Sequence, residues 1–257
     1  MATPRVLALR APGTNCDEET VWAFRQCGAE AESRHVNALL DEPSALRNFQ
    51  VFVCPGGFSY GDDLGAGRAL AQKLRRLSDE LHAHRDRGGL ILGICNGFQA
   101  LLQTGLLLEP DAAGLPRATL AGNTHGRYED RWVHVELTPG KCAFVKEAAR
   151  IELPVAHGEG NFRGRDASVV KELAAAGRIV AKYVDADGEP GPFPVNPNGS
   201  EGDVAGVCDA TGQIFALMPH PERHFLPTHH PRWTRRQVQP EHGDGRLFFA
   251  NAVRHFA

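Results

Sequence analysis

Short apolar runs alternate with amphipathic stretches through the first hundred residues. Val6-Leu7-Ala8-Leu9 reads as a strand, and Asp17 to Cys27 follows with helical spacing at Val21, Phe24 and Arg25, stopped by Gly28. Glu30 to Val36 suits a second strand, and Val51-Phe52-Val53-Cys54 a third, ended by Pro55-Gly56-Gly57. Leu70, Leu74, Leu77 and Leu81 recur at three- and four-residue intervals, which predicts one long helix over Ala66 to Arg87 before Gly88-Gly89. Leu90 to Ile94 is apolar throughout, as in a strand buried on both faces, and Phe98 to Gln103 returns to helix. This alternation predicts an α/β fold with a doubly wound, mostly parallel sheet.

The pattern changes in the second half. From Arg131 to Leu137, Trp132, His134 and Glu136 alternate with Val133, Val135 and Leu137, which predicts additional antiparallel strands with one wet face. Ile179 to Val184, Val204 to Cys208 and Gln213 to Met218 are further strand candidates. Asp185 to Ser200, rich in Gly, Pro and Asn, reads as an ordered loop. Pro219 to Asp244 has many His, Pro and Arg residues and little periodicity, and Arg246 to Phe256 suits a helix. There is no internal repeat or linker, so residues 1–257 read as a single domain.

Composition narrows the function classes. The net charge of -3, with no polybasic segment, gives no footing for nucleic acid or a membrane surface. No apolar run approaches the roughly 20 residues of a membrane span, and Met1 to Arg5 does not open a signal peptide, so a cytoplasmic protein is expected. The six cysteines, Cys16, Cys27, Cys54, Cys95, Cys142 and Cys208, form no C-x-x-C pair, and most should be small buried residues.

Cys95 differs in its context. In Gly93-Ile94-Cys95-Asn96-Gly97 a buried strand runs into a nucleophile-type residue and a helix starts at once. That is the form of the G-x-S-x-G elbow with Cys in place of Ser, set at the carboxyl ends of the strands. His220-Pro221-Glu222 follows the apolar run Ile214 to Met218 and supplies a base with a carboxylate to orient it. Pro55-Gly56-Gly57 ends another strand, and the N–H groups of Gly57 and Asn96 are candidates for an oxyanion hole. A thiol of pKa about 8.5 is roughly 3% ionised at pH 7. Lowering that pKa to about 6 gives roughly thirtyfold more thiolate, of which about tenfold is lost to weaker nucleophilicity. Oxyanion donors, worth about 10²–10³ each, and His220 as the acid that protonates the leaving group are therefore the larger contributions.

Together these residues resemble the class I (triad) glutamine amidotransferases, which have a flavodoxin-like sheet. Within that superfamily, five segments resemble the glutaminase component of phosphoribosylformylglycinamidine synthase. They are residues 55–62, 93–99, 156–160, 196–200 and 218–223, in the family's order and covering essentially residues 4–225. The resemblance implies that Cys95 attacks the amide of L-glutamine to form a γ-glutamyl thioester, with His220 as base and acid and Glu222 orienting it. It implies that Gln99 and the backbone around His157-Gly158 hold the substrate's α-amino and carboxylate groups. It further implies that ammonia passes to an ATP-dependent synthetase subunit, which amidates formylglycinamide ribonucleotide in purine biosynthesis. ATP and Mg belong to that partner, a small accessory subunit completes the complex, and no cofactor is expected in this chain. Asp62-Asp63-Leu64-Gly65 and Asn123-Thr124-His125-Gly126 depart in detail from the family's commonest forms. A start at Met1 matches the free-standing form, whereas Phe225 to Arg246, with Trp233, and Phe248-Phe249 look closer to fused members.

Three rival readings stay open at this point. One is a catalytically silent docking module of a synthetase. Another is a different Cys hydrolase on the same fold. The third is a metal site among His220, His224, His229, His230 and His242, though Pro221 and Pro227 break any helical register there.

Overall fold

The computed structural model describes residues 3–235, 238 and 240–257. The apolar runs of the first half become strands β1 (Arg5–Arg10), β2 (Glu30–His35), β3 (Val51–Cys54) and β4 (Leu90–Ile94). Between and after them lie helices α1 (Asp17–Gln26), α2 (Val36–Asp41), α3 (Arg68–Arg75), α4 (Ser78–Asp86) and α5 (Asn96–Thr104). The second half supplies β5 (Ala118–Ala121), β6 (Glu129–Leu137), β7 (Ala149–His157), β8 (Asn161–Gly164), β9 (Ile179–Val184), β10 (Val204–Cys208) and β11 (Ile214–Leu217). It also contributes α6 (Ala167–Ala175) and α7 (Arg246–Arg254).

Nine of these strands form one sheet in the order β2-β1-β3-β4-β11-β10-β9-β6-β7, and β5 pairs with β8 beside it. From β2 to β11 the neighbours are parallel, and from β11 to β7 they are antiparallel. The expected α/β class, with antiparallel strands added in the second half, is what forms. The central strands β3, β4, β10 and β11 are buried at every position because helices or loops cover both faces. In β6, Val133, Val135 and Leu137 face the core, matching the alternation.

The long helix expected over Ala66 to Arg87 is instead two helices. The leucine spacing continues across the break, with Leu77 buried inside it. The break lets α4 re-aim. His84 then bonds Leu90 O at 3.1 Å, tying α4 to the start of β4, and Arg87 donates to Leu46 O at 2.9 Å, tying the end of α4 to the turn of residues 43–48 before β3. Strand β7 escapes the alternation reading because Pro154 lies inside it. The proline is tolerated because β7 is an edge strand, paired only with β6. The aperiodic segment after Pro219 covers that edge. His220 N–H donates to Pro154 O at 2.8 Å, the His224 ring bonds Glu152 O at 2.6 Å, and Asp244 accepts from Glu152 N–H at 2.8 Å. Phe248 and Phe249 are fully buried core residues packed on Phe215 and Phe24.

The sheet therefore brings several strand ends to one place. β1, β3, β4 and β11 all deliver their carboxyl ends there, and β7 arrives beside them through Pro154. Helix α5 sits so close to β3 that a Cβ at Gly97 would stand 1.8 Å from the Cys54 carbonyl oxygen. Gly97→Ala is thus expected to destabilise the chain by about 3 kcal/mol, the upper part of the overpacking range. Urea unfolding checks this, and an unchanged midpoint would contradict the close approach.

Candidate active site

Cys95 is the residue between β4 and α5, with φ 49° and ψ −104°. This is the left-handed region, costly for a residue with a Cβ and typical of a nucleophile held up on a sharp turn. The turn is pinned on both sides: Cys95 N–H donates to Leu217 O at 2.8 Å, and Gln99 N–H donates to Cys95 O at 3.1 Å. The thiol is 4% exposed and donates to Ala156 O at 3.6 Å.

His220 and Glu222 stand at the end of β11, both buried. His220 Nδ1 lies 2.6 Å from Glu222 Oε1, so Nδ1 carries the proton and Nε2 is left to face the reaction. Nε2 has no protein hydrogen-bond partner and is fully buried. Burial opposes the charged imidazole, but the Glu222 carboxylate, Cys95 and Cys16 more than offset this and raise His220 well above the ordinary histidine range. Gly56 makes room for the ring, since a Cβ there would lie 2.7 Å from His220 Cε1.

Beside Cys95 lies a cavity of about 190 Å³, lined in part by Gly57, Asp62, Gln99, Gly158 and Glu159. Its volume suits one amino acid. Phe58 and Tyr128 stack at its mouth, 6.2 Å between centroids, and are 44% and 50% exposed. A second opening of about 20 Å³ lies on the His220 side, lined by Asn15, Cys95, Tyr128 and Arg223 among others.

This strand-end constellation is matched by known proteins. Residues 3–256 match the CobB/CobQ-like glutamine amidotransferase domain. Over 257 residues the chain is 47% identical to phosphoribosylformylglycinamidine synthase subunit PurQ of Dehalococcoides mccartyi, covering 99% of this chain and 98% of that one. It is 40% identical over 266 residues to the subunit of the same name from Methanococcus maripaludis, covering 98% and 97%. The chain belongs to the PurQ branch of this amidotransferase family. A chain in the structure of PurLQS from Thermotoga maritima superposes with a TM-score of 0.75 at 27% identity, covering 100% of both chains.

The structure of this amidotransferase places the other expected site residues as follows. Gly57, Gln99, His157 and Gly158 all line the cavity with Cys95. Asn96 lies behind it. Its side chain accepts from Ser59 N–H at 3.1 Å and donates to Asp62 Oδ1 at 3.0 Å and Gln99 Oε1 at 2.8 Å. Gln99 in turn donates to Glu159 O at 2.6 Å, so its amide anchors the loop after β7 as well as forming the wall. His157 is a locked, neutral residue, held by Asn123 Oδ1 at 3.1 Å and Asn198 at 3.5 Å. Burial, followed by the nearby His220 charge, lowers it to about 4.

The Asn-x-x-Gly and Asn-Pro-Asn-Gly-Ser segments form the scaffold of this loop. Asn123 bonds Arg127 O, His157 O and Gly160 N–H at 2.8, 2.9 and 3.1 Å. Ser200 donates to Gly160 O at 3.3 Å.

Three site neighbours were not legible as such. Cys16, among the cysteines expected merely to pack, has its sulfur 3.8 Å from His220 Nδ1, and Arg223 donates to that sulfur at 3.1 Å. The signal available was position, because Cys16 follows the turn at the end of β1, where the strand order of the parallel sheet reverses. Asp62 and Glu159, acidic cavity residues, are the other omission. Of the histidines of the metal reading, His224 and His230 pack on Trp132, at 4.8 and 4.6 Å, and on each other at 5.7 Å, and His229 packs on Trp22 at 6.5 Å; the groups within metal-ligand reach of His220 among the described residues are Cys16 and Glu222 instead.

His84 and His157 also set a pH dependence. Burial lowers both from 6.5 to about 4. Above pH 6.5 both are neutral whether the chain is folded or unfolded, and their contribution is complete. As pH falls towards 4 the unfolded chain takes up protons that the folded chain refuses, so stability drops, by about 2 kcal/mol from each at pH 5. Urea unfolding at pH 7 and pH 5 should show this loss, and equal stability at both would contradict it.

Proposed function

We propose that this chain is the glutaminase of a phosphoribosylformylglycinamidine synthase and that Cys95, His220 and Glu222 are its triad. The observation that carries the reading is the convergence of three strand ends. The Cys95 thiol after β4 and Gly57 after β3 line a cavity of about 190 Å³ with acidic walls, and His220 after β11, its Nε2 unpartnered and its Nδ1 bound to Glu222, lines the small opening that Cys95 and Gly57 also border. A silent docking module has no need of a strained nucleophile and a buried, oriented imidazole.

The chemistry follows from the protonation pattern. His220 enters protonated, having taken the thiol proton, and the Cys95 thiolate attacks the side-chain amide carbon of glutamine. The N–H groups of Gly57 and Asn96 receive the developing oxyanion. As the C–N bond breaks, His220 Nε2 gives its proton to the departing nitrogen, releasing ammonia and leaving the γ-glutamyl thioester. Water then attacks the thioester with His220 as base, and glutamate leaves as the thiolate reforms. Asp62 and Glu159 give the cavity a carboxylate surface for the substrate's α-ammonium, and Gln99 with the His157-Gly158 backbone shapes the rest.

The related Thermotoga maritima chain comes from a PurLQS structure, and its example supports a synthetase partner here. In our reading that partner holds ATP and Mg and consumes the ammonia, and a small accessory subunit completes the assembly. This chain needs no cofactor of its own. Among the described residues no helix is long and apolar enough to cross a membrane. On its likeness to phosphoribosylformylglycinamidine synthase subunits we place the protein in the cytoplasm.

Glutamate release from glutamine should be slow for the chain alone and rise at least tenfold with the synthetase subunit and its nucleotide substrate, since free ammonia is wasted without an acceptor. Equal rates with and without the partner would sink partner activation. Glu222→Gln should lower turnover about 10³–10⁴-fold, by analogy with the loss of a triad's orienting carboxylate. Steady-state kinetics with the assembled complex checks this, and a variant within threefold of the parent would remove Glu222 from the triad.

A further inference from the structure

The far side of the His220 ring holds an arrangement that the triad chemistry does not use. The Cys16 sulfur is fully buried, 3.8 Å from His220 Nδ1. Its thiol donates to Asn15 Oδ1 at 3.1 Å, and Arg223 Nη2 donates to the sulfur at 3.1 Å. Arg223 is also anchored outward, its Nε donating to Glu19 Oε1 at 2.9 Å. The second carboxylate oxygen of Glu222, Oε2, is buried and has no hydrogen-bond partner, although Arg223 is the next residue and lines the same opening as Glu222. A guanidinium that reached such an oxygen would form a charge-assisted hydrogen bond with it. The sulfur and Glu19 hold it back. The backbone permits this only because residue 56 is glycine, since a Cβ there would meet His220 Cε1 at 2.7 Å and Cys16 Sγ at 3.1 Å.

We propose that Cys16 is a positioning residue for His220: its sulfur holds the Arg223 guanidinium off Glu222 and so reserves that carboxylate for the imidazole. Burial pushes the Cys16 thiol up to about 12, so the sulfur stays neutral and acts as a spacer between two cations. The groups that face His220 are the Cys95 thiol from the turn before α5, Cys16 from the turn after β1, His157 from β7, Tyr128 from the loop before β6, and Glu222 and Arg223 from its own segment. His157 is held neutral, so Arg223 is the cation among them that competes for Glu222. If the guanidinium reached Oε2, the carboxylate would hold the imidazolium less firmly, and His220 would lose its proton at lower pH.

The test is an NMR titration of the His220 ring in the full chain with isotope-labelled histidine, His220→Asn supplying the assignment. In Cys16→Ala the midpoint should fall by about one pH unit, a tenfold change in proton affinity. Cys16→Ser keeps an atom that accepts from Arg223 and should hold the midpoint near the parent's. Cys16→Ala with Arg223→Met should restore it. A purely structural role would lower thermal stability and leave these midpoints where they were. Should Cys16→Ala fail to fold, Glu19→Ala, at the surface, releases the outer anchor of Arg223 and should move the midpoint downward as well. An unmoved midpoint in the folded Cys16→Ala, or in Glu19→Ala when Cys16→Ala does not fold, would overturn the proposal, as would Arg223→Met failing to restore it. The catalytic meaning of Cys16 rests on the glutaminase reading. In the assembled complex, the high-pH limb of turnover should shift with the midpoint while the KM for glutamine stays within about twofold. The titration itself needs no glutamine, so a chain that shows the midpoint shift yet releases no glutamate with its partner would fault the glutaminase reading alone.

Discussion

A residue with a Cβ at φ 49° persists only where its surroundings over-determine it, and at Cys95 they do so from three directions. Leu217 O on β11 fixes its N–H, the first turn of α5 uses its carbonyl, and Gly97 lets that turn settle against Cys54. The apolar strands β3, β4 and β11 are the rigid base, each buried at every position. The strain lifts the thiol out of the strand direction into the space where three other segments meet. Gly57, His157 and His220 gain their meaning from where that turn points.

The electrostatics are arranged around the proton on His220. A buried imidazole would ordinarily be neutral, as His84 and His157 are in the same protein. His220 differs because a buried carboxylate lies 2.6 Å from Nδ1 and a thiol lies on each side of the ring. In the proposed chemistry this prepares it as the acid that expulsion of ammonia requires, since an amide nitrogen leaves only when protonated. The acidity of the thiol itself matters less. Beyond this pair the polar residues are scaffolding: Asn96, Asn123, Asn198 and Ser200 spend their hydrogen bonds on backbone and on one another to hold the loops that shape the cavity.

Much of this was legible in the sequence because the parallel half of the sheet has a strong signature. Strands buried on both faces are continuous apolar runs, and each of β3, β4 and β11 ends at a short motif with chemical content. For that reason Cys95, His220 and Glu222 could be picked out from their motifs; Cys95 and His220 border one small opening, and Glu222 bonds the His220 ring. Other features depend on contacts that no local pattern records. The break at Leu77 keeps the leucine period unchanged, so spacing could not reveal it. β7 contains Pro154 and is acceptable only at an edge, and edges are fixed by tertiary order. The covering segment from His220 to Asp244 bonds through individual side chains, without period. Cys16 was hidden most thoroughly, because it lies 204 residues from the histidine it touches and is chemically indistinguishable from a packing cysteine.

The central claim is that the sulfur of Cys95 carries the γ-glutamyl group. Turnover with glutamine by the chain assembled with its synthetase partner, quenched in acid and mapped by peptide mass spectrometry, tests it most directly. The account predicts a γ-glutamyl adduct on the peptide that contains Cys95, absent when Cys95 is replaced by alanine. Glutamate release that continues in the alanine variant, or an adduct on another cysteine, would contradict it.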